Sequence, residues 1–360
     1  MHPSDAKTRP AENVPDGVKR ESFETEGMDT RQVQEALGRH GVPLRTGVAL
    51  AEYSWFRSGG RAGLLVRPES VEQLVATVRE LHGAGVPFKV IGETTNLLFL
   101  DDRDYGCLVT TTALRGLSVD PGMCRIETET GVSLPELSRV ALKHGIAGFA
   151  GLEGIPGTVG GAVFMNAGAY GDNIARVLDT VDLILPDGSV ETLDAGAMNF
   201  EYRNSILKTG AHPGIVARAR FKGKPGDQKR LYRRMETAHA NRHRAYEYMY
   251  PNLGSIFSGS VYRSLGRNDR VFRIAAAMFY FFNYRFRFYR RETPINRKWL
   301  NDLALKRFPI KFTNQPFSDK SLNVLVNNGH HTDELLDYIR QLHELIGKDV
   351  PIENEIVEPF

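Results

Sequence analysis

The segment Gly151–Gly171, GLEGIPGTVGGAVFMNAGAYG, constrains this chain more than any other: it holds seven glycines and a proline. Glycine at this density costs backbone entropy. A fold keeps it where the chain turns sharply or approaches a neighbour closely. Two readings are open. Successive backbone N–H groups can form a concave nest for phosphate oxygens, or the segment is a glycine-rich corner that binds nothing. Within it, Ala162-Val163-Phe164-Met165 reads as a strand-like apolar run.

The rest of the composition narrows the class. The 360 residues suffice for two or three domains with cores of their own. At 41% hydrophobic and 25% charged, the chain has the balance of a soluble globular protein. A net charge of +3 is too small to indicate nucleic acid. Two cysteines, Cys107 and Cys124, suit neither a disulfide framework nor a zinc site, so both read as small buried hydrophobes and no metal is expected. This usage fits a reducing cytoplasm, the expected location. The first thirty or so residues carry charges throughout and lack the apolar core of a signal peptide. They predict a disordered leader. No apolar run reaches the ~20 residues of a spanning helix.

Periodicity supplies the elements. Leu64–Val66 predicts a strand. Ser70 and Gln73 form a capping-box pattern before a helix over 70–83, and Phe88–Ile91 predicts the next strand. That strand runs into the polar loop Gly92-Glu93-Thr94-Thr95-Asn96, the layout of an α/β unit. Further strands are expected at 97–100, 107–111 and 125–129. Ser133 and Glu136 mark another helix start. Pro186-Asp187-Gly188 between two apolar runs predicts a hairpin. A basic helix is expected at about 227–244, and a last helix at 333–346 with Thr332 as N-cap.

Three short signatures follow the glycine segment: YRNS at 202–205, GSIF at 254–257 and ENEI at 353–356. Taken singly, they read as a surface arginine, a turn and an exposed acidic tail. Their order changes that. The chain resembles the UDP-N-acetylenolpyruvoylglucosamine reductase family from about Ser54 to Glu358. SWFRSGG at 54–60 and GETTNLL at 92–98 match its opening motifs, and 154–171 matches its longest motif almost throughout.

The resemblance implies an α+β fold: a two-part FAD-binding region, similar to the PCMH and vanillyl-alcohol-oxidase type, followed by a C-terminal α+β substrate-binding domain. The implied divisions are a leader with a short helix at 1–45, FAD subdomains at 46–115 and 116–222, and a substrate domain at 223–360. It also implies an NADPH-driven flavoenzyme of peptidoglycan precursor synthesis. Such an enzyme reduces the enolpyruvyl ether of UDP-N-acetylglucosamine to the lactyl ether, UDP-N-acetylmuramate. FAD would lie against Gly92, Thr94, Thr95 and Asn96 and against Ile155, Pro156, Gly157, Thr158, Gly160 and Gly161. Arg203 would hold the substrate carboxylate, Ser255 would donate a proton, and Glu355 would assist.

Departures concentrate on the substrate side. Where the family has Gly-Ser-x-Phe-Lys-Asn-Pro this chain reads GSIFSGS, so Ser258 and Gly259 replace a lysine and an asparagine. Arg242 is retained, but Tyr246-Glu247 replaces its Gln-Pro companion. In the flavin loop, Thr94-Thr95 replaces Gly-Ser. These changes keep open an alternative, a related flavin reductase acting on a different enolpyruvyl sugar. Residues 261–294 form an insertion, and 271–291 is dense in aromatics and arginine. That stretch reads as a core helix with arginines reaching to solvent, or as a helix for a membrane surface or a protein partner.

Overall fold

A computed structural model describes residues 30–245, 247–285 and 297–360. The leader before residue 30, Tyr246 and the later part of the aromatic, arginine-rich stretch lie outside the described residues.

The chain begins with helix α1 (Thr30–Arg39), strand β1 (Leu44–Ala49), the one-turn helix α2 (Leu50–Tyr53) and β2 (Arg61–Val66). Helix α3 (Val71–Gly83) and strands β3 (Phe88–Ile91), β4 (Leu97–Phe99) and β5 (Asp104–Thr110) follow. One sheet runs β1-β2-β5-β3, antiparallel at β1–β2 and parallel elsewhere. Strand alternation divides its side chains. Leu64, Val66, Cys107 and Val109 pack with Val33 and Leu37 of α1 and Leu74 and Val78 of α3. Leu65 and Leu108 pack on the other face against Leu50 and Phe99. The short helix expected in the leader is therefore α1, and its apolar side is built into a core. Ser70 caps α3 by accepting from the Gln73 N–H, while the Gln73 side chain accepts from the Glu69 N–H. Both cysteines are buried, and burial pushes the Cys107 thiol up to about 12.

Strands β6 (Leu117–Asp120) and β7 (Arg125–Glu129) open a second sheet. Helix α4 (Leu134–Lys143), the short β8 (Ile146–Ala147) and helix α5 (Val159–Met165) come next. Then follow β9 (Gly168–Ala169), β10 (Asp172–Asn173), β11 (Leu178–Ile184), β12 (Val190–Asp194) and β13 (Ile215–Lys222). The sheet order is β12-β11-β13-β7-β6, antiparallel throughout. The predicted Asp-Gly hairpin joins β11 to β12, with Gly188 at φ +84°. The apolar run Ala162–Met165 belongs to α5, which corrects the strand reading. A four-residue apolar run has no decisive period, and the Thr158 hydroxyl caps the helix by accepting from the Gly161 N–H.

Strand β14 (Lys224–Pro225) pairs with β8, and helix α6 (Gln228–Ala245) leads into a third unit. That unit contains β15 (Asn252–Ser255), α7 (Val261–Asn268), α8 (Arg270–Tyr280) and α9 (Lys298–Arg307). It continues with β16 (Phe317–Ser318), β17 (Ser321–Val326) and α10 (Thr332–Ile346). Its three-stranded sheet runs β15-β17-β16, and its core joins Leu265, Phe272, Leu300, Leu325, Tyr338 and Leu342. His331, not Thr332, caps α10, because the Thr332 hydroxyl is taken by the Asp101 N–H. Strand β18 (Glu355–Val357) leaves this unit and pairs parallel with β4 in the first. The acidic ENEI segment is thus a paired strand.

Candidate active site

One cavity of about 1670 Å³ lies where the three units meet. Loops 92–96 and 154–158, α5, Arg203, β15 and the residues Glu353 and Glu355 all line it. Pockets for single small ligands measure roughly 300–1,000 Å³, so this cavity has room for a large cofactor and a second molecule.

Its glycines are fixed by neighbours. A Cβ on Gly92 would stand 2.4 Å from the Thr158 hydroxyl, and one on Gly160 would stand 1.9 Å from that of Thr130. Gly157 sits at φ +125°, where side chains are strained. The Gly157 N–H donates to the Glu93 carboxylate at 3.1 Å. This backbone turn therefore already receives an anion, which fits a phosphate-bearing cofactor. Close packing shapes the loops, and the turn they make faces the side chain of Glu93.

The polar side chains of the flavin loop are engaged in stitching. The Thr95 hydroxyl donates to the Pro156 carbonyl at 3.0 Å, joining the two loops. The Thr94 hydroxyl accepts from the Trp55 N–H at 2.8 Å. Thr94 is β-branched and sits at φ +58°, a strain of about 1–3 kcal/mol that a glycine at this position avoids. Asn96 binds the strand opposite: its amide donates to the Glu353 carbonyl, its side-chain oxygen accepts from Asn354, and its backbone carbonyl accepts from the Glu355 N–H.

Arg203, Ser255 and Glu355 come from three distant parts of the chain to one cavity. Asn166, at the left-handed end of α5, donates to the Glu201 carbonyl at 2.7 Å and so fixes the loop that carries Arg203. Ser205 donates to the Phe164 carbonyl at 2.7 Å from the same loop. Arg203 itself is held at φ +55° with its Nε 3.5 Å from Glu353. Ser255 ends β15, opposite Val324 of β17. Glu355 pairs with Lys89 of β3.

Sequence reasoning missed four neighbours: Lys89, Tyr202, Lys208 and Glu353. Tyr202 donates to Glu353 at 2.8 Å, and burial, then this bond to a carboxylate, raises its pKa. Lys208 donates to the Arg203 carbonyl at 3.0 Å. Desolvation lowers the Lys208 pKa against the pull of Glu355 and Glu353. Two carried a signal: Tyr202 opens YRNS, and Glu353 is the first glutamate of ENEI. Lys89 and Lys208 meet the site through tertiary packing alone.

The rim is aromatic. Glu247 accepts from the Tyr248 and Met249 N–H groups and from the Ser318 hydroxyl, each at 2.8 Å. Burial pushes its carboxyl up, but these bonds together win and hold it below the usual range. Arg242 is buried beneath this rim with its guanidinium over the Tyr170 ring. Ser258 and Gly259 lie elsewhere. They are not part of the cavity wall; they lead into Ser260, the N-cap of α7.

This two-part region with a glycine-lined anion turn defines a flavoprotein, and the family described as FAD binding domain matches residues 62–194. The UDP-N-acetylenolpyruvoylglucosamine reductase of Streptococcus thermophilus (strain CNRZ 1066) is 34% identical over 217 residues, 60% of this chain and 70% of that one. The enzyme of the same name from Streptococcus pneumoniae (strain Hungary19A-6) is 36% identical over 222 residues, 61% of this chain and 72% of that one. The crystal structure of UDP-N-acetylenolpyruvylglucosamine reductase (MurB) from Thermus caldophilus superposes with a TM-score of 0.64 at 25% identity, covering 88% of this chain and 99% of that one. The chain belongs to the UDP-N-acetylenolpyruvoylglucosamine reductase family.

Proposed function

We propose that this protein reduces the enolpyruvyl ether of UDP-N-acetylglucosamine to UDP-N-acetylmuramate, in the cytoplasm, for peptidoglycan precursor synthesis. The observation that carries the reading is the meeting of Arg203, Ser255 and Glu355 in one cavity with loops 92–96 and 154–158. The divisions 46–115, 116–222 and 223–360 are proposed as its working units, with α1 and β1 belonging to the first.

When bound, FAD reduced by NADPH would supply the hydride for the vinyl methylene carbon of the substrate. Gly92, Thr94, Thr95 and Asn96, with Ile155, Pro156, Gly157, Thr158, Gly160 and Gly161, would form the wall against which that cofactor lies. Arg203 binds the substrate carboxylate and stabilises the enolate-like charge that grows there by charge-assisted hydrogen bonds. The Ser255 hydroxyl then gives its proton to the carbon next to that carboxylate, completing the lactyl ether. A hydroxyl is a weak acid, so its placement matters more than its pKa. Glu355, paired with Lys89, would orient the reacting groups. Glu353 holds Arg203 until a substrate carboxylate competes for it.

The substituted positions Ser258 and Gly259 lie off the cavity wall, so their change leaves the substrate space intact. The face of 271–283, which among the described residues contributes nothing to the cavity, is proposed to serve contacts outside the reaction. The deciding experiment follows flavin absorbance. NADPH should bleach the oxidised band, and UDP-N-acetylenolpyruvoylglucosamine should restore it without oxygen. A reduced flavin that stays bleached in the presence of this ether would overturn the proposed substrate.

A further inference from the structure

We propose that the exposed face of α8 docks on an anionic lipid surface. Helix α8 divides cleanly. Phe272 and Ala276 are buried in the core of the third unit, and Phe279 packs against it. Val271, Ile274, Met278, Phe281 and Phe282 face solvent, each between 43% and 56% exposed. At 100° per residue Val271, Ile274 and Met278 form one stripe along α8, and Phe281 and Phe282 follow in the turn after it. Trp299 of α9 is also exposed and stacks on Phe279 with ring planes 11° apart.

Charge selects the partner. Residues 261–283 contain four arginines and one acid. Arg270 and Arg273 flank the apolar stripe on α8, and Arg263 and Arg267 lie exposed on α7. The one acid, Asp269, is already occupied: it caps α8 at the Phe272 N–H and pairs with Arg307 at 2.6 Å. None of the four arginines joins an ion pair among the described residues. An apolar stripe of valine, isoleucine and methionine beside a cationic row matches a helix lying in a bilayer interface, with arginines at the headgroups. A second copy of the chain fits less well, because a symmetric contact over the stripe sets four cations against four. No helix of the described residues is long and apolar enough to cross a membrane, so the contact is peripheral. No residue of α7, α8 or α9 lines the cavity, which leaves the site free when the face is occupied.

The test uses the full-length, FAD-loaded protein. It is co-sedimented with phosphatidylcholine vesicles or with vesicles containing about 30% phosphatidylglycerol. Salt is set at about 0.1 M and about 0.5 M, which spans strong and weak screening. Anionic vesicles should pellet at least about fivefold more protein, and the higher salt should reverse this. Ile274→Glu with Met278→Glu should abolish the binding, and Arg270→Glu with Arg273→Glu should weaken it about tenfold. All four positions are exposed, and unchanged flavin bleaching by NADPH verifies that each variant is folded. Equal pelleting with neutral and anionic vesicles would overturn the proposal. So would binding that ignores the substitutions. A concentration-dependent dimer that Ile274→Glu with Met278→Glu abolishes would overturn it too, assigning the stripe to a second copy.

Discussion

The flavin loops and the helices of the third unit are built under opposite constraints. In the loops, added atoms have nowhere to go: Gly92 and Gly160 each face a threonine hydroxyl closer than any Cβ contact allows. In α8, the apolar side chains of Val271, Ile274 and Met278 meet solvent. The first region is specified by backbone shape and the second by what it leaves uncovered. A chain can therefore keep its cofactor and its reacting groups while changing much of the unit that surrounds them. Ser258 and Gly259 show this. They lie off the cavity wall, just before α7.

The contrast breaks first at the reacting groups, which span both regions. Arg203→Met and Ser255→Ala should each slow reoxidation of the reduced flavin by the enolpyruvyl ether by about 10²-fold or more while bleaching by NADPH persists. Stopped-flow absorbance separates the two half-reactions. A Ser255→Ala enzyme that reoxidises at the parent rate would remove serine from its role.

The next test probes the tightness of the loops. Gly160→Ala should lower FAD affinity about tenfold, since its Cβ collides with Thr130 and displaces α5 (about 1–3 kcal/mol for overpacking). Thr130→Ser should not relieve it, because the hydroxyl remains. Thr130→Ala in the same chain should restore part of the affinity. Titration of the flavin-free protein with FAD measures both.

A third prediction concerns stability in the second unit. Burial raises the Asp182 pKa, but its bonds to Arg220 (2.8 Å at both oxygens) and Thr192 outweigh this and hold it below the usual carboxylate range. A lowered folded pKa stabilises above the unfolded value of 3.8 and loses that stability as pH falls through the folded pKa. Asp182→Asn should cost about 1–3 kcal/mol near neutral pH. The gap to the parent protein should close as the pH is lowered beneath that value. Urea unfolding at two pH values reads this.

The smallest effect is expected where the family pattern is most altered. Ser258→Lys with Gly259→Asn should change the apparent KM for the ether by less than about threefold. Gly259 lies at φ +80° with open space around it, and asparagine tolerates that conformation. A large gain in KM would draw these two positions back into substrate binding and sharpen the contrast in the other direction.

Much of this design was legible along the chain. The helix starts at Ser70 and Ser133, the Asp-Gly hairpin and the glycine loops rest on local chemistry and stand where local patterns predict them. The helical state of Ala162–Met165 did not, because a short apolar run leaves its period undecided until Thr158 caps it. Helix α1 was expected only as a short helix somewhere within 1–45, with no local pattern to fix its bounds. Lys89 and Lys208 were not legible at all: their pairing with Glu355 and Arg203 depends on strands and loops brought together from distant positions. Charge patterns far apart in sequence have no period to reveal them.

The strand β18 has a mechanical consequence. It ties the third unit to the first at β4, and other ties lie away from it: the Asp101 N–H donates to the Thr332 hydroxyl, the Asn327 amide donates to the Phe56 and Arg57 carbonyls, and the Trp55 indole donates to the Asn252 carbonyl. A body tied at points that share no line keeps no axis of rotation. The Glu353 N–H donates to the Ile256 carbonyl at 2.7 Å within the same seam. Ser255, Glu353 and Glu355 are therefore clamped in register with loop 92–96, as a keystone is held by the stones on either side.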